Sequence, residues 1–441
     1  MEITTVRTPG VGDNTYVVVH DGQAIVVDPQ RDIDRFLFLL GETNAELRYI
    51  FETHIHNDYV SGGRELAAVT GAELVLPAAG AVKFDHLPAF HNEDINSGDW
   101  SIRPIHTPGH TPEHLSYLAV VDGEPVALFS GGSLLVGSAG RPDLLGMDRA
   151  RTLAHLQYLS VNRLAELPEM VGLYPTHGAG SFCTSTVAGA HTSTIGQEKR
   201  SNPVLQHSDR ESFILDQLAG LQPFPSYYAY MGPTNLAGPE PIPAPGLREV
   251  AASEIGGSTV VDIRPAERYA AGHLPGSIGI PFGDQVGVWA GWVLPFDTEV
   301  ILVAERGQDV DEVHRQFSRI GFDQVVGVVF DLPPDIELVS YEVLRLADFL
   351  DRMRTDLGGQ IIDVRAPNEW AEGTIEGSTL LYVPDLYEDT SKIDPSQPAW
   401  LLCGTGHRST IAAAALERDG LRPAVLVGHG VADVIRHLPR P

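Results

Sequence analysis

The 441 residues predict a mixed α/β protein built in three parts. Three observations carry that reading. Short β-type runs alternate with helical stretches through the front of the chain, a proline-rich segment interrupts it near residue 240, and beyond that segment the sequence repeats itself. The length agrees, since roughly 100–200 residues per domain calls for two to four domains.

In the front part, 16–20 and 24–28 read as adjacent strands around the turn Asp21-Gly22. Further β-type runs at 48–52, 73–76, 115–121 and 126–129 are interleaved with helical stretches at 32–40 and 64–69. A histidine cluster follows the strand at 48–52, and loops at strand ends are where α/β folds place chemistry. The segment 235–246 holds four prolines and reads as a stiff, extended linker with little to bury. Behind it, Val260-Val261-Asp262-Ile263-Arg264-Pro265 recurs as Ile361-Ile362-Asp363-Val364-Arg365-Ala366, the two aspartates setting the lag at 101 residues. Gly272, Gly276 and Ser277 recur at the same lag as Gly373, Gly377 and Ser378. Two copies of one α/β module follow, and the chain divides into 1–235, 246–340 and 341–441.

Charge and cysteine content narrow the function. With 58 Asp plus Glu against 30 Lys plus Arg, the formal charge of −28 repels nucleic acid and anionic membrane surfaces, so neither is expected as a partner. Two cysteines exclude a disulfide-stapled scaffold and a four-cysteine zinc site, and suit a reducing cytosol. Met1–Val6 lacks the basic and apolar regions of a secretion signal, and no run of about 18 apolar residues exists to span a membrane. A cytoplasmic location is the expectation.

Twelve of the 17 histidines precede residue 210. After the strand at 48–52 comes Thr53-His54-Ile55-His56-Asn57-Asp58-Tyr59, then Ser61-Gly62-Gly63. Two imidazoles and a carboxylate at alternate positions of a short turn can converge on one cation, as nitrogen and oxygen ligands of zinc or iron do. A second cluster is His106-Thr107-Pro108-Gly109-His110-Thr111-Pro112-Glu113-His114, and a third candidate is His177 in Pro175-Thr176-His177-Gly178. His20, His86, His91 and His155 read as ordinary polar or core residues. The stretch 1–235 resembles the metallo-β-lactamase fold, an αββα sandwich, and within it glyoxalase II and the persulfide dioxygenases. The matching pieces are His54/His56/Asp58, Gly109-His110, Phe129-Ser130-Gly131-Gly132-Ser133, His177 and Gly140-Arg141-Pro142-Asp143-Leu144. The chain departs from the family twice. Tyr59 stands where a dinuclear enzyme has a histidine, and Gly132 stands where the family has a metal-binding Asp. The resemblance therefore implies a mononuclear site on His54 and His110, with His56 or Asp58 as third ligand and His177 behind them. One Fe(II) per front domain is the expected cofactor, zinc is the alternative, and a metal-free pocket stays open because of Gly132.

In the second module copy a strand runs into Cys403-Gly404-Thr405-Gly406-His407-Arg408-Ser409 and a helix at 410–416. A cysteine at such a turn faces backbone N–H groups and the positive helix end, which favour a thiolate or persulfide anion. Arg408 adds a fixed cation for an anionic sulfur donor such as thiosulfate. The repeats resemble tandem rhodanese domains, which implies Cys403 as the sulfur-carrying nucleophile and Asp363 and Arg365 as a structural pair. Ala304 takes the cysteine position of the first copy, so that copy is expected to be inactive. Cys183, close behind His177, is either a sulfur relay or a packed thiol. Nearly the whole chain thus resembles persulfide dioxygenase–rhodanese fusions. That implies oxidation of a low-molecular-weight thiol persulfide with O2, exchange of sulfite and thiosulfate, and a homodimer, since such dioxygenases often self-associate. A zinc thioester hydrolase joined to a sulfurtransferase is the second reading, and a degenerate front scaffold the third.

Overall fold

Asp13–His20 and Gln23–Val27 pair antiparallel across Asp21 and Gly22, whose φ values of 48° and 73° suit the tight turn of a twisted hairpin. The computed structural model describes residues 1–184, 190–242, 246–333 and 335–438. The chain forms two compact units divided within the proline-rich segment, residues 318–321 grouping with the first. Residues 243–245 of the expected linker lie outside the described residues.

In the first unit the hairpin belongs to a six-stranded sheet ordered Glu2–Thr8, Asp13–His20, Gln23–Val27, Glu46–Phe51, Glu73–Pro77 and Leu87–Ala89. A second six-stranded sheet runs Ser193–Thr194, Gly172–Pro175, Glu124–Gly131, Leu115–Val121, Trp100–His106 and Ile95–Ser97. Successive side chains of a strand face opposite ways, and here both ways are covered. Tyr16, Val18, Ile25, Val27, Phe51 and Val75 meet Trp100, Ile102, Tyr117, Ala119, Ala127 and Phe129 of the other sheet. The alternate residues Val17, Ala24, Val26, Ile50 and Leu74 meet Phe36 and Leu40 of the helix Asp34–Thr43 and Leu66 of the helix Gly63–Thr70. On the far side Leu118, Leu128 and Leu173 pack on Ala154, Val161 and Leu164 of the helix Met147–Ala165 and on Phe213. Three apolar cores between four layers make the αββα sandwich that the family resemblance implies.

The expected linker starts too early. The helix Tyr228–Ala237 carries Asn235 into the front unit, where its amide donates to the carbonyls of His56 and Tyr59 at 2.8 Å each. A buried side chain with two such partners belongs to the fold it supports.

The second unit holds two parallel sheets. One is ordered Ile278–Gly279, Thr259–Asp262, Val300–Val303 and Val325–Val329. The other is ordered Glu342–Leu344, Pro423–Leu426, Ala399–Leu402, Gln360–Asp363 and Thr379–Leu380. In both, the Asp-x-Arg strand lies next to the strand that leads to Ala304 or Cys403. Among the described residues no helix is long and apolar enough to cross a membrane.

Candidate metal centre and sulfur-carrying loop

Three loops leaving strand C-termini supply the histidine cluster, and a fourth brings Gly132 beside it. Glu46–Phe51 delivers His54, His56 and Asp58; Trp100–His106 delivers His110; Glu124–Gly131 delivers Gly132; Gly172–Pro175 delivers His177. His54, His110 and His177 each offer a ring nitrogen within 4.8 Å of the other two, and all three are buried. In each ring Nε2 has no hydrogen-bond partner. Each Nδ1 is held: His54 by Thr53 Oγ1, His110 by the Arg141 carbonyl and His177 by Asp13 Oδ1, all at 2.8 Å.

These partners assign the tautomers. Arg141 O and the Asp13 carboxylate only accept, so Nδ1 of His110 and His177 donates. Thr53 Oγ1 gives its proton to Asp28 Oδ2 at 2.8 Å, so it too accepts from His54. Every Nδ1 carries its proton on the outside, and in a neutral ring the Nε2 lone pair is left for the centre. An oriented histidine with an acceptor behind it is the usual support of a metal ligand. Three buried, unpartnered imidazole nitrogens brought together without a cation are costly, and a metal resolves that cost. The residues fit a metal.

Electrostatics separate the three. Burial and then the neighbouring imidazoles push His54 well below the usual imidazole range. Burial and the charge on His177 push His110 down to about 3. For His177 burial works in the same direction, but the carboxylates of Asp58 and Asp13 outweigh it and carry the ring up to about 10. Burial would likewise raise Asp58, yet His177 and then His56 hold it as a carboxylate. Both Asp58 oxygens lack hydrogen bonds, with His177 Nδ1 at 3.3 Å.

The structure brings the expected ligands into two groups that share His177: His54, His110 and His177, and His56, Asp58 and His177. His177, ranked last from sequence, joins His54 and His110. His56 turns Nε2 to Glu52 Oε2 at 3.1 Å and Asp28 Oδ1 at 3.3 Å, and keeps only Nδ1 unpartnered, on the side of Asp58. Tyr59 does not rebuild a second metal shell: its ring stacks on His56, and its hydroxyl sits 3.3 Å from the Asp28 carbonyl and 3.0 Å from His56 Nε2. Gly132 could not carry the family Asp as the chain stands, because a Cβ there would collide with the His110 ring. His114 is occupied on both nitrogens, by the Gly132 N–H at 2.9 Å and Thr107 Oγ1 at 2.8 Å. His54 and His56 line a small pocket together with Phe84 and Asn235.

Cys183 is fully buried against the Tyr228 hydroxyl, 3.9 Å away. Burial and the charges of Asp58 and Asp13 push its thiol well above the usual range, which suits a packed thiol and not a nucleophile. His20, His86, His91 and His155 join none of the ligand groups found among the described residues.

In the second unit the strand Ala399–Leu402 ends at Cys403 and the helix His407–Arg418 begins four residues on. Gly406, at φ 98°, turns the chain so that its own N–H donates to Cys403 Sγ at 3.1 Å. Gly430 is required behind the loop, since any side chain there would strike the carbonyls of Cys403 and Gly404. Thr405 accepts from the Gly428 N–H through its carbonyl, and Ser409 is buried in the first turn of the helix. His407 donates from Nε2 to the Pro281 carbonyl at 3.0 Å. Gly404 and Thr405 are exposed, while Cys403 itself is buried beneath them. The sulfur stands at the positive end of a helix, as the sequence predicts.

Arg408 departs from expectation. Both of its terminal nitrogens bond Glu369, Nη2 to Oε1 at 2.9 Å and Nη1 to Oε2 more closely still. Its charge is neutralised by a carboxylate from the helix Pro367–Trp370. Arg365, beside it, is likewise bound to Asp363.

Asp28, Glu52, Thr53, Arg141 and Asn235 stood in segments singled out from the sequence, but without the roles they take here. Asp13 and Glu369 escaped sequence reasoning, since each acts on a site residue brought near only by folding. Glu369 alone left a trace, since it follows the recurring Asp-x-Arg.

Comparison with known proteins adds the following. Residues 8–224 match the metallo-beta-lactamase superfamily, and residues 248–329 and 346–436 match the rhodanese-like domain. A hydroxyacylglutathione hydrolase from Tolumonas auensis is 36% identical over 38% of this chain and 63% of its own length. One from Acidiphilium cryptum is 34% identical over 48% of this chain and 93% of its own length. The chain spans 57–64% of the length of the first four such curated relatives. A crystal structure of a metallo-beta-lactamase from Staphylococcus aureus subsp. aureus COL is 27% identical with a TM-score of 0.70. That likeness covers 75% of this chain and 99% of the other, a wider stretch than residues 8–224.

Proposed function

From a chain that belongs to the metallo-β-lactamase superfamily and carries two rhodanese-like domains, we propose a sulfur-metabolism enzyme that joins persulfide oxidation to sulfur transfer. One observation carries the front half: His54, His110 and His177 each bring a ring nitrogen within 4.8 Å of the other two and each has an unpartnered, buried Nε2, while Tyr59 is bonded to His56 and Gly132 has no side chain to offer. That set favours a single metal. When bound, a ferrous ion supplies open positions for a substrate sulfur and for O2. Thr53, Arg141 and Asp13 fix the three rings, and Asp58 adds a carboxylate beside them. The overall reaction is R–S–SH + O2 + H2O → R–SH + SO3²⁻ + 2 H⁺, with a low-molecular-weight thiol persulfide as substrate.

In the back half Cys403 carries sulfane sulfur between that persulfide, sulfite and thiosulfate, and Ala304 leaves the first module without a carrier. The functional domains are a front domain that includes the helix Tyr228–Ala237 and the two modules 246–340 and 341–441. A cytoplasmic setting suits two unpaired thiols, and a homodimer is the expected assembly.

The test is metal content and O2 uptake with glutathione persulfide, on full-length protein produced with iron supplied. Stoichiometric iron with persulfide-dependent uptake supports the reading; iron without uptake ends it. His177→Ala should lower metal occupancy about 10-fold or more, and full retention would remove His177 from the site. A zinc thioester hydrolase is the second reading, favoured by relatives that carry the name hydroxyacylglutathione hydrolase. Stoichiometric zinc and thioester cleavage would establish it.

A further inference from the structure

We propose that Glu369 sets the donor preference of the Cys403 loop, against dianionic thiosulfate and toward alkyl persulfides. The inference rests on Cys403 as the sulfur carrier. A free Arg408 would offer the loop a guanidinium for a compact anion. Instead, both terminal nitrogens of Arg408 are bonded to Glu369. Arg365 is spent on Asp363 and on the Gly373 carbonyl at 2.7 Å. His407 gives its Nε2 proton to Pro281, and burial pushes the ring below the usual imidazole range, so it adds no charge. Bonded to the sulfur is the Gly406 N–H at the helix start, and the Arg408 charge that also acts on Cys403 is shared with Glu369.

That surrounding suits one negative charge on the transferred group and serves two poorly. Thiosulfate brings two charges next to the sulfur to be moved; an alkyl persulfide brings at most one. The step is the same for both. The Cys403 thiolate attacks the outer sulfur, a new S–S bond forms, and the old one breaks with its electron pair leaving on R–S⁻ or SO3²⁻: Cys–S⁻ + R–S–SH → Cys–S–S⁻ + R–SH, or Cys–S⁻ + S–SO3²⁻ → Cys–S–S⁻ + SO3²⁻. Only the charge to be accommodated differs. Glu369 does not touch the sulfur; it acts by occupying Arg408.

The experiment compares anaerobic cyanide-coupled turnover of glutathione persulfide and thiosulfate by the full chain, as wild type, Glu369→Gln and Glu369→Asp. The wild type should show the higher kcat/KM with the persulfide. E369Q should raise the thiosulfate-to-persulfide ratio about tenfold, chiefly through a lower KM for thiosulfate, the effect of regaining one charge-assisted hydrogen bond. E369D, which keeps the carboxylate, should stay near the wild-type ratio. A wild type that prefers thiosulfate overturns the proposal without any variant, as does a folded E369Q with an unchanged ratio. Cys403→Ser in the same assay separates the two ideas, since transfer that survives it removes the carrier assignment itself.

Discussion

The two rhodanese-like modules share their frame and differ at the loop that matters. Asp262 and Arg264 form a bidentate clasp that closes on the Gly272 carbonyl at 2.9 Å, and Asp363 and Arg365 repeat it on Gly373 at 2.7 Å. The neighbouring strands then diverge. In the first module six residues, 304–309, separate strand from helix, and in the second only four, 403–406. The longer loop uses up its own donors: the Glu305 N–H goes to Gln308 Oε1 at 2.7 Å. The shorter one leaves the Gly406 N–H to a sulfur. The bracing ion pair is reversed as well. Arg268 reaches from the clasp helix to Glu305 of the loop at 2.9 Å, whereas 101 residues later Glu369 reaches to Arg408. Both loops thus carry a braced ion pair, with the carboxylate on the loop next to Ala304 and the arginine on the loop next to Cys403. The clasp makes the module, and the loop decides whether it works.

The largest effect expected from this contrast is on chemistry. Cys403→Ser should lower sulfur transfer by about 10³-fold or more, because the nucleophile itself is gone. The reciprocal change, Ala304→Cys, should add no second carrier, since Glu305 and the self-bonded loop remain. Cyanolysis after persulfide loading should count one labile sulfur per chain in both wild type and A304C. Two would show that the cysteine alone distinguishes the modules.

Much of this contrast is legible in the sequence. The 101-residue lag, Ala304 and Cys403 are visible without coordinates, because they ride on apolar strands and glycine turns whose patterns are local. So is the mixed α/β character of the front domain with its many short strands, whereas its four layers come from the family resemblance. What is not legible is pairing across the fold. Arg408 reads as a free cation because the carboxylate that takes it lies 39 residues away. His177 reads as a minor candidate because its loop meets those of His54 and His110 only in space. Gly132 reads as a lost ligand, yet its backbone also bears on His114, which no spacing reveals.

The clasp gives the next prediction. Removing one partner of a buried, hydrogen-bonded ion pair typically costs about 3–5 kcal/mol. Arg365→Ala should fall in that range, leaving Asp363 and the Gly373 carbonyl unsatisfied. Arg264→Ala should cost less, because 15% of the Arg264 side chain is exposed against 5% of Arg365, and water can reach what it leaves. Thermal unfolding of the two variants checks the order. Equal losses would mean that the shared hydrogen bonds, and not burial, set the energy.

The smallest effect is on pH dependence, and it follows from the reversed pair. Burial alone would raise the Glu369 carboxyl, but the Arg408 guanidinium outweighs it and holds the group below the usual glutamate range. A carboxyl whose folded value is depressed adds stability that is present above its unfolded value, about 4.3, and is lost as the pH falls through the folded one. The difference in Tm between wild type and E369Q should therefore be level above about pH 5 and shrink below about pH 4. Arg268 and Glu305 form the corresponding pair at the surface, with 73% and 37% of their side chains exposed, and such pairs contribute about 0–1 kcal/mol. Glu305→Gln should thus move Tm little anywhere in that range. Were E305Q to reproduce the acid-side loss of E369Q, the two loops would be braced alike, and the neutralised arginine beside Cys403 would be a feature of the module and not of its chemistry.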